Sequence, residues 1–435
     1  MDTRNYRDRF KDIVLQQIEK IDLLKPDWDK EISEWRDQSS RCDILWFLKD
    51  WVQEGKYIDI ALAISEKFSY DPSPEAGYDH LNEKIEKGED PRNIYTVRGT
   101  VPWLLQAIIG TFQTQHYGKI LNIVERLADD SIFYVRQQAT VPLSLFAANI
   151  RARQNKDGTP FNFTDEDRTR TFNLAFKMLR DNRHLPRVLE YVSNVFDKLR
   201  YIDETLAKEV LTTLFYTKEG KLNPSYLVHH VAPFALFYAE FRKTYDSTFK
   251  NEWFQEFLLK AIRDSNDSDP QLKSTFVWNT WKIIQDNPDY YILFKKYIPV
   301  FFEGNFEQEP VGQFEFLVKE VLKISPEDGV NLLKQELDYV LQGVIRSGGK
   351  KKVWFTTLQD TLDEVAKLKP KELLSIFSQL DNLLNNVVYI GDVKHILSLY
   401  KSVPDTERPA LEKKSIEMFN RLKVMHPEWQ LTDLS

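Results

Sequence analysis

Apolar residues recur at spacings of three and four along almost the whole chain, and that periodicity restricts the fold more than any other feature. In Asp43-Ile44-Leu45-Trp46-Phe47-Leu48-Lys49-Asp50-Trp51-Val52 the apolar positions fall on one stripe of a 3.6-residue helix. After the break Glu54-Gly55-Lys56 the pattern returns from Tyr57 to Phe68. Helices joined by so short a link must pack as antiparallel neighbours. Further pairs are predicted at 93–114 with 117–128, 166–181 with 184–200, and 203–217 with 222–246. Three more follow at 250–264 with 269–287, 310–322 with 325–346, and 351–368 with 370–386. No run of alternating apolar and polar residues interrupts them. The expected fold is all-α, an α-solenoid of antiparallel helix pairs.

Length agrees with an array. The chain has 435 residues, whereas single cores stop growing near ~250–300 residues. A stack that lengthens in one dimension has no such ceiling. One continuous array over 1–435 is expected, subdivided at most into 1–152, 163–304 and 305–435. The polar segment from Arg153 to Asn162, with Asp157-Gly158 and Thr159-Pro160, reads as an exposed loop. Thr164 then caps the next helix, with Asp167 placed to complete a capping box.

Two segments look like copies of each other. Ile94-Tyr95-Thr96-Val97-Arg98 and Ile132-Phe133-Tyr134-Val135-Arg136 share Ile-x-x-Val-Arg, and Thr-Val-Pro follows each, at Thr100-Val101-Pro102 and Thr140-Val141-Pro142. A separation near 40 residues is the size of a two-helix solenoid repeat. The second copy adds Asp130, six residues before Arg136. That arrangement resembles the HEAT-repeat motif, within the HEAT and armadillo-like proteins. The resemblance covers 88–150, extends loosely to 265–285 through Asp267 and Lys273, and reaches the remainder only through helix spacing. It implies that Arg98, Asp130 and Arg136 form a structural ladder, with the acid at the turn and the arginines early in successive second helices. Pro102 and Pro142 should kink the helices that contain them. The same residues are also similar to helical repeat regions at the C-terminal end of large prokaryotic P-loop NTPases, defence-type ones included.

Motifs for catalysis or metal binding are absent from the sequence or defective in it. Cys42 is the only cysteine, so no intrachain disulfide and no cysteine-based zinc site can form. Arg346-Ser347-Gly348-Gly349-Lys350-Lys351-Lys352 is spaced wrongly for a phosphate loop and reads as a glycine helix stop. Asp264-Ser265-Asn266-Asp267-Ser268-Asp269 lacks the glycine and closing glutamate of a calcium loop and reads as a helix cap. His229 and His230, read as adjacent on a helix, should point to different faces, one in the core and one exposed. No catalytic residue, cofactor or metal site is expected.

Charge is distributed unevenly. Residues 92–200 hold twelve Arg and four Lys against ten acidic residues, a local +6 in a chain of −7, leaving −13 elsewhere. Arginine suits carboxylate and phosphate partners, so Arg126, Arg151, Arg153, Arg168, Arg170, Arg180, Arg183 and Arg187 are candidate partner-binding residues. The competing use of such arginines is an internal ladder. These features predict a non-catalytic scaffold that binds a protein or acidic peptide along a concave, partly arginine-rich surface. One alternative is nucleic-acid binding, which overall acidity disfavours. Another is an accessory or sensor module beside a separately encoded NTPase. With no run of ~18 apolar residues, the chain is expected in the cytoplasm, with no membrane partner.

Overall fold

The computed structural model describes residues 38–73, 79–89, 96–111, 114–152, 163–304, 311–389 and 393–427. Those residues are overwhelmingly helical, and none of their helices is long and apolar enough to cross a membrane. Contacts divide the chain into two compact units after Phe234, a point inside the 163–304 segment expected from sequence.

In the first unit the helices are α1 (Gln38–Gln53), α2 (Ile58–Phe68), α3 (Asp79–Glu86), α4 (Val97–Gly110) and α5 (Tyr117–Ala128). They continue with α6 (Phe133–Ala152), α7 (Asp165–Asp181), α8 (Pro186–Lys198) and α9 (Glu204–Phe215). The amphipathic stripes explain their packing. In α8, Val188, Leu189, Val192, Val195 and Phe196 are buried on one side, and Pro186 starts the helix where no amide donor is needed. Thr164 and Asp167 form the reciprocal capping box that opens α7. Helices touch in two rows: α1 to α4 to α6 to α8, and α2 to α5 to α7. Rungs between rows join α1 with α2, α5 with α6, and α7 with α8. Asn82 of α3 receives Phe133 N at 2.7 Å, satisfying an amide at the start of α6. Helices α4 and α6 run unbroken through Pro102 and Pro142.

The second unit contains α10 (Glu252–Ser268), α11 (Pro270–Asp286), α12 (Val311–Ile324), α13 (Pro326–Arg346), α14 (Leu358–Leu368), α15 (Leu373–Leu383) and α16 (Arg408–Met425). Again there are two rows, α11 to α12 to α14 and α13 to α15 to α16, with α10 and α13 both on the short 3-10 segment Ile298–Phe302. Asp269 caps α11 by accepting from Leu272 N at 3.0 Å, the role read for it from the sequence. Lys273 is buried and donates to Tyr339 Oη at 2.6 Å. Gly348 and Gly349, both at positive φ, close α13 through Gly349 N to Val344 O at 3.0 Å.

Two expected helices differ. The 222–246 helix is interrupted: Ser225–Val228 is followed by a turn through His229, His230 and Val231. Pro233 lies in the first turn of the helix that restarts at Ala232, and a proline ring blocks the turn before it. A π-helical turn, Phe237–Phe241, follows, and its buried Glu240 accepts Tyr297 Oη at 2.6 Å. The 351–368 helix begins only at Leu358. Val353–Trp354 (β1) instead pairs in parallel with Val387–Tyr389 (β2), Val353 opposite Val387 and Trp354 opposite Tyr389. Buried Glu315 of α12 accepts Thr356 N at 2.9 Å and Thr357 N besides, so the amides just ahead of α14 are satisfied by a distant carboxylate.

Candidate functional site

The turns of the first unit are tied by arginines. Arg41 of α1 donates from Nη2 to Asp71 Oδ1 at 3.0 Å, just past the end of α2. Arg98, in the first turn of α4, reaches Asp130 Oδ2 from Nε at 2.7 Å and Oδ1 from Nη2 at 3.2 Å. Its Nη1 donates backward to Asp71 O. Arg136, in the first turn of α6, donates backward to Asp130 O and forward to Asn182 Oδ1 at 3.3 Å, just past the end of α7. Asp71 and Asp130 also accept a backbone amide two residues on, from Ser73 N and Ile132 N, each at 2.8 Å. Arg98, Asp130 and Arg136 therefore meet at one seam, and Asn182, which sequence reasoning did not nominate, extends it. Burial pushes the Asp71 carboxyl up from its ordinary value, and the Arg41 guanidinium pulls it back down.

The described candidate arginines lie elsewhere and are engaged. Arg170 of α7 forks onto Glu125 at 3.1 and 2.9 Å and reaches Asn122. Arg180 and Arg183 share Glu209, at 2.8 and 3.0 Å. Arg187 donates to Gly88 O, pairs with Glu190 at 2.9 Å and stacks 3.7 Å above Tyr226. Arg126 donates to Ser69 Oγ and stacks 3.7 Å from the Tyr70 ring. Arg168, more exposed, sits 3.5 Å from Asp165. The side chain of Arg151 and all of Arg153 lie outside the described residues. Carboxylates thus meet the charges of Arg168, Arg170, Arg180, Arg183 and Arg187, whereas Arg126 is held by a hydroxyl and a ring face.

An open pocket of about 320 Å³ crosses three consecutive helices of the first row. Gln106 of α4, Ser144 of α6, and Tyr191 and Asn194 of α8 present neutral polar groups to it. Val141, Leu145 and Ala148 of α6 provide the apolar part, and Lys198 stands at the end of α8 with Asp197 as its counterion at 2.8 Å. One helical turn before Gln106, Trp103 lies 6.4 Å from Trp46 of α1, ring centre to ring centre. Its indole N–H donates to Gln138 Oε1 at 3.1 Å. The Lys49 ammonium sits 4.4 Å from the Trp46 ring and 5.6 Å from the Trp103 ring. This face was missed from sequence because its residues are small, neutral or aromatic. The available signal was a second stripe on α8: Tyr191, Asn194 and Lys198 recur at three and four residues, opposed to the core stripe.

Cys42 is buried beside Thr100, and burial pushes its thiol up to about 11, away from nucleophilic reactivity. His229 and His230 do not point to different faces: in their turn the rings lie 3.8 Å apart, both half-buried. Burial, and then the neighbouring His229, hold His230 down at about 4. No protein-family model and no curated protein matches the chain.

Proposed function

We propose that the chain is a HEAT-like scaffold, an α-solenoid of antiparallel helix pairs, that holds a partner protein against the α1–α4–α6–α8 face. The pocket carries this reading. It is built by three successive helices of one row, the geometry by which repeat proteins make extended binding surfaces from ordinary side chains. The two-row contacts and the arginine seam support the repeat assignment, since Arg98 and Arg136 each reach the turn of the next helix pair. The binding face favoured here is the pocket rather than Arg170, Arg180 and Arg183, whose charges have internal carboxylate partners.

The test compares two bulky substitutions. Ala148→Trp fills the pocket, whereas Asn173→Trp adds the same ring to an exposed position of α7. Co-purification from the source cell should lose its partner with Ala148→Trp and keep it with Asn173→Trp, both proteins melting like the native chain. Equal retention by the two variants removes the pocket from the function.

A further inference from the structure

We propose that the α1–α4–α6–α8 face takes an extended acidic segment of the partner protein, seating one of its carboxylates on Lys49 and an apolar side chain in the pocket. The inference rests on the scaffold reading and narrows it to one ligand chemistry.

Lys49 is the first observation. Its side chain is half-buried, and its ammonium is held against two indole faces. Among the described residues no carboxylate lies within ion-pairing distance of it. Ring faces attract a cation without neutralising it. A carboxylate arriving from outside gains a charge-assisted hydrogen bond to an ammonium that is already positioned and already partly stripped of water. Arg41, two turns earlier on the same helix, shows the contrast: its charge is met by Asp71 within the fold.

The pocket lining is the second observation. None of its residues is acidic, and at the far side the Asp197 carboxylate beside it is already engaged by Lys198. Gln106, Asn194 and Tyr191 offer donors and acceptors that suit the main chain of an extended segment. Val141, Leu145 and Ala148 offer an apolar contact for one side chain. The indole pair continues the face from the pocket to α1. A nucleic acid would want a row of free cations along its phosphates; this face offers Lys49, while Lys198 is paired with Asp197 and Arg170 and Arg180 with glutamates.

The experiment titrates the full chain, by fluorescence anisotropy, with a labelled peptide of alternating glutamate and leucine. Its lysine-leucine and glutamine-leucine counterparts and an oligothymidylate are titrated alongside. The glutamate peptide should bind at least tenfold tighter than the other three and weaken as salt is raised. Lys49→Met should cost about tenfold and Lys49→Arg little. Gln106→Lys should tighten binding and Gln106→Glu should weaken it, which keeps the test open if a position 49 variant folds poorly. Absence of binding by the glutamate peptide, equal binding by its counterparts, or indifference to Lys49→Met each overturns the proposal, as does tighter binding of the oligothymidylate. If a neutral or basic peptide binds best and Ala148→Trp blocks it, the acidic chemistry fails while the scaffold reading stands. If Ala148→Trp also leaves native partner retention unchanged, both fail.

Discussion

Arg98 and Arg136 begin successive helices of one row, yet their partners differ in charge. Arg98 faces the Asp130 carboxylate, whose side chain is 9% exposed, whereas Arg136 faces the neutral amide of Asn182. Removing one member of a buried ion pair strands the other, at a cost of about 3–5 kcal/mol, while a hydrogen bond from a charged donor to a neutral acceptor is worth about 1.5–3 kcal/mol. Urea denaturation should therefore show Arg98→Gln losing about 4 kcal/mol and Arg136→Gln about 2 kcal/mol. In the Arg98→Gln, Asp130→Asn double variant most of the larger loss should return. The ladder was legible because its arginines sit in a repeated Ile-x-x-Val-Arg context. Asn182 was not, since an amide after a helix end has no charge signature. A second residue invisible in sequence is Glu336 of α13, fully buried, with neither carboxylate oxygen partnered. Burial, and then the Glu315 charge, raise its pKa well above the usual carboxylate range. Glu336→Met should stabilise the protein at pH 7 by about 1–3 kcal/mol, the cost of an unsatisfied buried polar group. An equal or lower denaturation midpoint would sink that claim.

Helix spacing was read correctly for most elements because amphipathic stripes are local. The misreadings fell where a distant group decides. Nothing local in 351–357 announces that Glu315 will hold the amides of Thr356 and Thr357. Close helix approach is equally hidden until a glycine is placed in three dimensions. At Gly329, a Cβ would lie 2.3 Å from Leu322 Cα, in the backbone of the neighbouring helix. Backbone cannot swing aside, so Gly329→Ala should separate α12 from α13 and cost at least the ~1–3 kcal/mol of an overpacked core. At Gly99 the obstruction is Thr96 Oγ1 at 2.5 Å and the Tyr134 ring at 2.7 Å. Gly99→Ala should be rescued in part by Tyr134→Leu, whereas Gly329→Ala should have no side-chain rescue. Thermal melts of the variants decide both points.

His230 in the first unit and Glu336 in the second titrate in opposite senses. In the first, His230 is held at about 4 against 6.5 for a free imidazole. A depressed histidine contributes stability above its free value, and that contribution drains away as pH falls from about 6.5 to about 4. In the second, Glu336 has a raised pKa. Its contribution is complete below the free glutamate value of about 4.3 and is lost as pH rises through the folded value. Acidification from pH 7 should thus remove the His230 contribution to the first unit while it relieves Glu336 in the second. Hydrogen exchange resolved by segment should show protection falling around His230 and rising around Glu336. His230→Gln should flatten the first trend and Glu336→Met the second, each without altering the other.

The arginine seam has a consequence for how such a chain can change length over descent. From arginine to partner the separation is 30 residues for Arg41 and Asp71, 32 for Arg98 and Asp130, and 46 for Arg136 and Asn182. The contact survives all three because the extra residues lengthen α6, α7 and the segment between them, away from the turn where the arginine lands. Inserted or deleted codons are expected to be tolerated there and rejected between Asp130 and Arg136, where the backward and forward bonds share one short stretch of backbone. The seam thereby acts as a reading frame for whole helix pairs: a duplication preserves it only when it copies an arginine together with the turn that receives the arginine before it.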